Sequence, residues 1–381
     1  MDNAAATQLD NAVKQEMQLY EEVYFNPSSF HDLGSSARKI LENSRQTVAQ
    51  IINCDSSEII FASGGTESIN LAVKGAAFAN KQKGNHVITT KIEHPSVLET
   101  CKYLEKNGFK VTYLDVDNEG LLNPEDVKKA VAKETILISV IYANNEIGVI
   151  QNIEEIGKIA KEKNIIFHTD ACQASLLNLD VNKLNVSLMT LNSSKMHGPK
   201  GCGILYIKKG TKLEPLIHGG GQEFNLRSGT ENLQAIVGFA KALEIAQENK
   251  DEISSRLVKL RDKLTASLLK KIPDSRLNGH KTKRLQNNVN ISVKNTESES
   301  LILHLNDFGI FVSSGSACSS TKIGISHVIK ALKVHEEYAR GTLRITLSKY
   351  TTEEEIDYLI EILPKIVEKI REKNIPKIIA R

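Results

Sequence analysis

Two short apolar runs in the chain are each followed by a polar side chain that can do chemistry. Residues 165–167 and 186–191 are apolar and β-branched enough to be buried strands. Asp170 follows the first run and Lys195 follows the second. Because ligands of an open parallel sheet collect beyond the carboxyl ends of its strands, we expect this carboxylate and this amine to face one crevice.

An amine and a carboxylate in one crevice suit pyridoxal 5'-phosphate (PLP). The amine can form a Schiff base with the cofactor, and the carboxylate can pair with the protonated ring nitrogen, which keeps the ring an electron sink. Taken alone, Asp170 is typical of a helix N-cap and Lys195 of a surface turn. The combination of the two favours a PLP site.

A phosphate site is predicted where the sequence SGGTES (63–68) joins a strand to a helix. Gly65 and Thr66 stand at the helix N-terminus, where free backbone N–H groups and the helix dipole favour an anion. Many turns of this kind bind nothing, so this prediction depends on the Lys195 and Asp170 pair. A second phosphate contact is predicted in RSGTEN (227–232), which includes the hydroxyl of Thr230.

Three further polar residues stand at predicted strand ends. His94, in KIEHPS, precedes a helix and has a flat ring that can stack on a cofactor and move protons. Gln173, three residues after Asp170, and Asn145, just past a strand, can each donate a hydrogen bond to the phenolic oxygen of PLP. Polar residues at strand ends are common, and each of these three is also compatible with an ordinary loop role.

A cysteine and an arginine are the candidates for handling a substrate. Residues 313–326, SSGSACSSTKIGIS, show neither a strand nor a helix pattern, and structureless segments of this length are often functional. A thiol at Cys318 would be accessible, although an incidental surface cysteine fits equally well. Arg344, in TLRIT, can bind a substrate carboxylate with two N–H groups, or it can lie on the exposed face of a strand.

The elements that must position these residues follow two patterns. Strand and helix signals alternate between residues 58 and 163, which predicts βαβ units and a mainly parallel sheet with helices on both faces. Before this region the chain is expected to be extended, with a loop at 26–34 and a helix at 37–52. A long helical pattern covers 231–271, with a break near residue 250.

A different pattern follows residue 273. Strands are predicted at 288–293, 309–312 and 343–347, with a helix at 298–305, and Thr352 with Glu355 predicts a capping box for a closing helix that runs to about residue 373. We therefore predict a large α/β domain and a smaller α+β domain. Their predicted bounds are residues 15–260 for the large domain, and 1–14 with 261–381 for the small one.

Composition excludes several classes of protein. The chain has 381 residues, 25% of them charged, with a net charge of +3, which is too balanced for a nucleic-acid binder. The start has no basic and apolar leader pattern, and no apolar run approaches the ~18 residues of a membrane span, so we expect a cytoplasmic protein. The five cysteines include no C-x-x-C pair, and neither a disulfide framework nor a metal site is expected.

Many short motifs together resemble the cysteine desulfurases of the NifS/IscS type, in the class-V aminotransferase family. The resemblance covers nearly the whole chain and follows the same order along it. The motifs are DNAAAT (2–7), NPSSFHDLG (26–34), SGGTES, EHPS (93–96), NNEIGVIQ (144–151), HTDACQ (168–173), SSKMHGPKG (193–201), HGGGQE (218–223), RSGTEN, SSGSACSS (313–320) and SHVIKAL (326–332).

The resemblance implies a PLP-dependent transferase of fold type I, with a mainly parallel seven-stranded sheet in its large domain and a smaller α+β domain. It implies a homodimer that removes sulfur from L-cysteine and leaves L-alanine. The implied cofactor-binding residues are Lys195 as the Schiff-base lysine, Asp170 at the ring nitrogen, His94 stacked on the ring, Gln173 and Asn145 at the ring oxygen, Gly65 and Thr66 at the phosphate, and Thr230 at the phosphate of the other subunit.

The resemblance also implies roles in substrate binding and sulfur transfer. Arg344, together with Asn145, would hold the substrate carboxylate, and Lys195 would take the α-proton. Cys318 would then attack the substrate sulfur and hold it as a persulfide, with His94 among the groups that assist. The sulfur would pass to an acceptor protein such as an iron–sulfur scaffold, which the sequence does not identify.

The chain departs from the family pattern at Ile325, where proline is usual, at Ser348, where glycine is usual, and in the segment before the lysine. The family tends to have Ser-Gly-His or Ser-Ala-His before the lysine, where this chain has Asn192, Ser193 and Ser194. Either the amide of Asn192 and the hydroxyl of Ser194 would then contact the phosphate, or the phosphate would be bound less tightly. Two alternatives stay open: a selenocysteine lyase or other class-V PLP enzyme, and a sulfur-binding or scaffold-interacting protein with impaired catalysis.

Overall fold

The computed structural model describes residues 1–315 and 324–374, which form two β-sheets with helices packed around them. The strands are β1 (Ile59–Ala62), β2 (His86–Thr90), β3 (Lys110–Leu114), β4 (Thr135–Ile141), β5 (Ile166–Asp170), β6 (Leu188–Asn192), β7 (Gly203–Ile207), β8 (Ser275–Leu277), β9 (Asn288–Val293) and β10 (Thr342–Thr346).

Most of the helices lie between these strands or after them. They are α1 (Asn11–Gln18), α2 (Asp32–Ile52), α3 (Gly65–Asn70), α4 (Ala76–Ala79), α5 (Pro95–Lys106), α6 (Pro124–Ala130), α7 (Ile153–Glu162), α8 (Val181–Leu184), α9 (Leu233–Glu248), α10 (Lys250–Lys271), α11 (Ser298–Asn306), α12 (His327–Ala331), α13 (Glu336–Ala339) and α14 (Glu353–Asn374). A π-helical turn, Leu71–Gly75, joins α3 to α4.

The larger sheet has seven strands in the order β1, β7, β6, β5, β4, β2, β3. Its neighbouring strands pair in parallel from β6 to β3, and β7 pairs antiparallel with both β6 and β1. All residues of β2 and β4 are buried, as expected for central strands covered by helices on both faces. The prediction of a mainly parallel α/β fold is confirmed.

Strand register brings the carboxyl ends of three central strands to the same edge. Ile141, which ends β4, pairs with Asp170, which ends β5, and Asp170 pairs with Thr190 in β6. The side chains that follow these strands therefore meet at one edge of the sheet. This edge lies where an open parallel sheet binds its ligands.

The smaller sheet is antiparallel, in the order β10, β9, β8. Helices α10, α11 and α14 cover it with a separate apolar core. The predicted capping box starts α14: the Thr352 N–H donates to Glu355 Oε2 at 3.0 Å, and the Glu355 N–H donates to Thr352 Oγ1 at 3.3 Å. The domain bounds stay predictions, and the one at residue 260 lies within α10.

Two sequence predictions about local structure were wrong. The N-terminal region contains helix α1, which Asp10 caps by accepting from the Ala12 N–H at 2.7 Å. Residues 309–312 are not a strand. Their alternation is real, since Ile310 and Val312 are buried while Phe311 is 61% exposed, but no neighbouring strand pairs with them.

The N-terminal strap, residues 1–7, crosses between the two sheets. The Thr346 N–H of β10 donates to the Met1 carbonyl at 2.8 Å, and the Ala4 N–H donates to Thr346 Oγ1 at 2.9 Å. At its other end, the Thr7 N–H donates to the Ser194 carbonyl at 2.9 Å. The strap thus joins the small sheet to the loop that carries Lys195.

Among the helices of residues 1–315 and 324–374, none combines the length and the apolar character that a membrane crossing requires.

Candidate active site

A cavity of about 180 Å³ opens at the carboxyl edge of the large sheet. It brings together most of the residues that the sequence predicts for PLP and substrate. These are Gly65, Thr66, His94, Asn145, Asp170, Gln173, Asn192, Lys195 and Arg344. Ala4, Ala5, Ser96 and Cys172 also line it.

Asp170 stands at the end of β5 and is 3% exposed. Its Oδ1 accepts a hydrogen bond from the Cys172 N–H at 3.0 Å, which fixes the carboxylate in the turn after the strand. Burial, together with the negative charge of Asp170, raises the pKa of the Cys172 thiol. The Cys172 thiol is therefore neutral at pH 7.

Lys195 ends a 3-10 turn that follows directly after β6. Its Nζ donates to the Ala4 carbonyl at 3.0 Å and also to the Ala5 carbonyl. Gln173 Nε2 donates to the same Ala4 carbonyl at 3.0 Å. The N-terminal strap therefore holds the amine at the cavity wall, on the same cavity as Asp170.

His94 caps helix α5 and faces the same cavity. Its Nδ1 accepts the Ser96 N–H at 3.1 Å and lies 2.7 Å from Ser96 Oγ. Burial lowers the pKa of His94, with the positive charges of Lys195 and His327 acting in the same direction and Asp170 opposing them. The ring is thus neutral at pH 7, and since Nδ1 accepts a hydrogen bond, the proton lies on Nε2.

The start of helix α3 approaches the Asp170 turn closely at Gly65. A Cβ on Gly65 would lie 2.8 Å from Cys172 Sγ and 3.5 Å from the Asn192 side chain. Glycine therefore opens the space between α3 and the loops that follow β5 and β6. Thr66 comes next and also lines the cavity.

Arg344 reaches the cavity from the middle of β10 in the small sheet. It is 1% exposed, and its Nη2 lies 2.7 Å from Asp2 Oδ1. Its Nη1 donates to the Asn145 carbonyl at 3.3 Å. Its Nε is buried without a hydrogen-bond partner in the described part of the chain. The alternative of an exposed-face arginine is therefore wrong.

Three predicted site residues do not line this cavity. Ser194 lies beside it, and its Oγ donates to Asn192 Oδ1 at 3.4 Å. Thr230 is exposed in the segment before α9, and its predicted contact is with another subunit. Cys318 lies outside the described residues.

Two acidic residues near the site were not assigned a role from the sequence. Asp2 pairs with Arg344, although 342 positions separate them. Glu93 is fully buried behind His94; its Oε1 accepts from Thr90 Oγ1 at 2.7 Å and from the Ile141 N–H at 2.9 Å. Burial raises the pKa of Glu93 to about 8. Asp2 lies in the motif DNAAAT and Glu93 in the motif EHPS, but no spacing rule predicts the partners of either residue.

The residues of this cavity fit PLP. An amine, a carboxylate, a neutral imidazole and three amide side chains face one space, and Gly65 leaves the close approach that a Cβ would fill. The unpartnered Arg344 Nε supplies a buried donor for a carboxylate ligand. Within residues 1–315 and 324–374, no group of His, Cys, Asp or Glu side chains is arranged to hold a metal ion.

Comparison with known proteins identifies the family. The family model for class-V aminotransferases matches residues 1–359, and the chain belongs to this family. It is 49% identical over 373 residues to the cysteine desulfurase IscS of Dictyoglomus turgidum, which covers 97% of this chain and 95% of that protein.

Solved structures resemble this chain over most of its length. A NifS-like protein has a TM-score of 0.91 and 40% identity, covering 97% of this chain and 98% of that one. The structure described as SspA in complex with cysteine has a TM-score of 0.79 and 35% identity, covering 92% of this chain and 99% of that one.

Proposed function

We propose that this protein is a PLP-dependent cysteine desulfurase that removes sulfur from L-cysteine, releases L-alanine and holds the sulfur as a persulfide on Cys318. The observation that carries the proposal is the cavity in which Lys195, Asp170, His94 and Arg344 meet. Full-length similarity to proteins named cysteine desulfurase supports the choice of reaction.

The cofactor half of the site is formed by residues of the large domain. Lys195 would hold PLP covalently, Asp170 would pair with its ring nitrogen, and the start of α3 with Asn192 and Ser194 would bind its phosphate. Bound PLP supplies an electron sink for the substrate α-carbon. The Lys195 amine lines the same cavity, and when it is not bonded to the cofactor its Nζ would take the α-proton of the substrate.

Arg344 would bind the substrate carboxylate. It is the arginine in the cavity lining, and its buried Nε lacks a partner among the described residues. Planar, charge-assisted hydrogen bonds from a guanidinium fix the direction of a carboxylate as well as its position. A substrate held in this way would present its sulfur in a defined direction.

Sulfur transfer needs a thiolate and a proton donor. The Cys318 thiolate would attack the substrate sulfur: an S–S bond forms, the Cβ–S bond breaks, and the three-carbon fragment takes up protons and leaves as alanine. His94 carries its proton on Nε2 because Nδ1 accepts from Ser96. We therefore assign His94 the role of a hydrogen-bond donor, through Nε2, to the reacting groups.

Further parts of the proposal concern partners. We propose a homodimer in which Thr230 reaches the phosphate of the other subunit, and a sulfur-acceptor protein such as an iron–sulfur scaffold in the cytoplasm. Large exposed apolar side chains support a second copy of the chain as a partner. They include Leu19, Tyr24, Phe30, Leu33 and Phe224.

The reaction is tested by replacing the sulfur carrier. Cys318→Ser is expected to bind PLP and L-cysteine like the unchanged protein but to form no persulfide, measured by mass spectrometry of the intact protein after mixing with L-cysteine. Cys54→Ser, at a half-buried cysteine that does not line the cavity, is the matched control. Full persulfide formation and sulfur release by Cys318→Ser would rule out the proposed carrier.

A further inference from the structure

Both ends of the segment 316–323, which carries Cys318, are attached to residues beside the active site. On the N-terminal side, the Ser313 N–H donates to the Arg344 carbonyl at 3.2 Å, and the Arg344 N–H donates to the Ser313 carbonyl at 2.6 Å. Ser313 Oγ then donates to the Gly315 carbonyl at 3.1 Å. This end is therefore fixed to the strand of the predicted substrate arginine.

The C-terminal end is attached to the loops that follow two strands of the large sheet. Ser326 Oγ donates to Glu146 Oε2 at 2.5 Å, and His327 Nε2 hydrogen-bonds the Glu93 carbonyl at 2.9 Å. Glu146 is next to Asn145, and Glu93 is next to His94. Ser326 also caps α12 by accepting the Val328 N–H at 3.1 Å.

The Glu146 carboxylate lies between the two ends. A Cβ on Gly315 would come within 3.0 Å of Glu146 Oε2, the same oxygen that accepts from Ser326. Glu146 is 1% exposed. Its carbonyl accepts from Asn288 Nδ2 and Asn290 Nδ2, both at 3.1 Å. The carboxylate is therefore held in one place by the backbone that carries it.

A buried carboxylate that contacts both ends of a connection can define the distance between them. Eight residues separate Gly315 from Gly324, so a change in the spacing of the ends changes which positions the intervening thiol can reach. Rates of reactions between held groups depend steeply on such positioning. The Glu146 carboxylate does not line the cofactor cavity, so this effect is separable from PLP binding.

We infer that Glu146 is a positioning residue for sulfur transfer: through Ser326 and Gly315 it sets the spacing of the two ends of segment 316–323 and so the approach of Cys318 to the substrate sulfur. The inference rests on the proposed function. It assigns Glu146 no contact with the reacting atoms.

The test compares Glu146→Gln and Ser326→Ala with the unchanged enzyme. Glu155→Gln, an exposed glutamate in the first turn of α7, is the matched control. Ser326→Thr keeps the hydroxyl and serves as the rescue variant. Each PLP-loaded protein is mixed rapidly with L-cysteine, and two rates are followed: the change in cofactor absorbance, and persulfide formation on Cys318 by quench and mass spectrometry.

Loss of a charge-assisted hydrogen bond predicts persulfide formation about tenfold slower in Glu146→Gln and Ser326→Ala. The absorbance change is expected to stay within about twofold of the unchanged enzyme, because the cavity residues are intact. Ser326→Thr and Glu155→Gln are expected to behave like the unchanged enzyme.

A readout independent of turnover is cleavage by trypsin after Lys322, which lies within the segment. Cleavage is expected to be several-fold faster in Glu146→Gln than in Glu155→Gln, because one attachment of the segment is weakened. Melting temperatures of both variants identify any general loss of folding.

Two results would overturn the inference: unchanged persulfide rates in both variants, or equal slowing of the absorbance change and of persulfide formation. Failure of the proposed function gives a different result, in which the unchanged enzyme itself forms no persulfide on Cys318.

Discussion

The proposed active site has two halves, a cofactor half and a substrate half, which are built in different ways. The cofactor half uses Asp170, Lys195 and His94, each of which lies at the end of a strand of one sheet or a few residues beyond it. The substrate half uses Arg344 from the small sheet, held by Asp2 and by the carbonyl of Asn145. Sheet register aligns the first set, whereas contacts between distant segments assemble the second.

The two cations of the site, Lys195 and Arg344, also differ in their hydrogen-bond and charge partners. Lys195 donates to carbonyls of the N-terminal strap, at a partly buried position. Arg344 is 1% exposed, its only described carboxylate partner is Asp2, and its Nε has no described partner. A buried guanidinium is costly unless it is paired. We therefore expect a bound carboxylate to affect the substrate half more than the cofactor half. Loss of the Lys195 amine should affect the cofactor half more than the substrate half.

The largest effect is expected in the cofactor half. Lys195→Ala removes both the anchor and the α-proton acceptor, and we expect turnover of L-cysteine to fall by at least about 10³-fold with loss of the yellow absorbance of bound PLP. Absorbance spectra and alanine release check this. Lys200→Ala, at an exposed lysine in the same loop, is the control. Unchanged absorbance in Lys195→Ala would contradict the assignment.

The next effect separates the two halves. Arg344→Lys keeps the charge but loses the planar pair of donors, so KM for L-cysteine should rise about 30-fold while the absorbance of bound PLP is unchanged. Steady-state kinetics and PLP titration measure both quantities. A variant that lost PLP and kept its KM would show that Arg344 belongs to the cofactor half instead.

We expect Glu93, the residue before His94, to make the stability of the protein depend on pH. Burial raises the pKa of Glu93 from its ordinary value of 4.5 to about 8. Between these values the folded protein keeps a proton that the unfolded chain has released, so the free energy of unfolding falls as pH rises, by at most about 1.4 kcal/mol per pH unit.

Glu93→Gln removes this titrating proton and should flatten the pH dependence. The difference in free energy of unfolding, variant minus unchanged protein, should therefore be more favourable to the variant at pH 8 than at pH 5. Denaturant unfolding at both pH values measures the difference, with Glu155→Gln as a control at an exposed site. The same dependence in Glu93→Gln and in the unchanged protein would show that Glu93 is not its source.

The smallest effect concerns the space beside Gly65. Gly65→Ala places a Cβ 2.8 Å from Cys172 Sγ, and we expect the dissociation constant of PLP to rise about fivefold because the thiol must shift. Adding Cys172→Ala removes the clash and should restore most of the affinity. PLP titrations of the two single variants and the double variant measure the coupling, and purely additive effects would exclude this contact as the cause.

The sequence predicted that Asp170 and Lys195 would face one cavity, but it did not predict how Arg344 is paired, and the reason is physical. Apolar β-branched runs predict strands such as β4 and β5, and parallel register then brings the residues at their ends together without further information. The pairing of Asp2 with Arg344 depends on a contact across 342 positions, which no local pattern encodes.

Fold predictions failed where tertiary partners decided the outcome. Residues 309–312 alternate like a strand, but only Ser313 forms a bridge, to Arg344. Strand β7, which pairs antiparallel with β6 and β1, was not among the predicted strands, and α1 is a short helix that packs against α9. The missing information in each case is the identity of the neighbour.

The central claim is that Lys195, beside Asp170, holds PLP in this cavity. The most direct measurement is the absorbance spectrum of the purified protein, followed by borohydride reduction and peptide mapping by mass spectrometry. We expect a yellow protein whose reduced pyridoxyl group is found on Lys195, and whose spectrum changes when L-cysteine is added before reduction. A colourless protein that takes up no PLP, or a label on another lysine, would contradict the account.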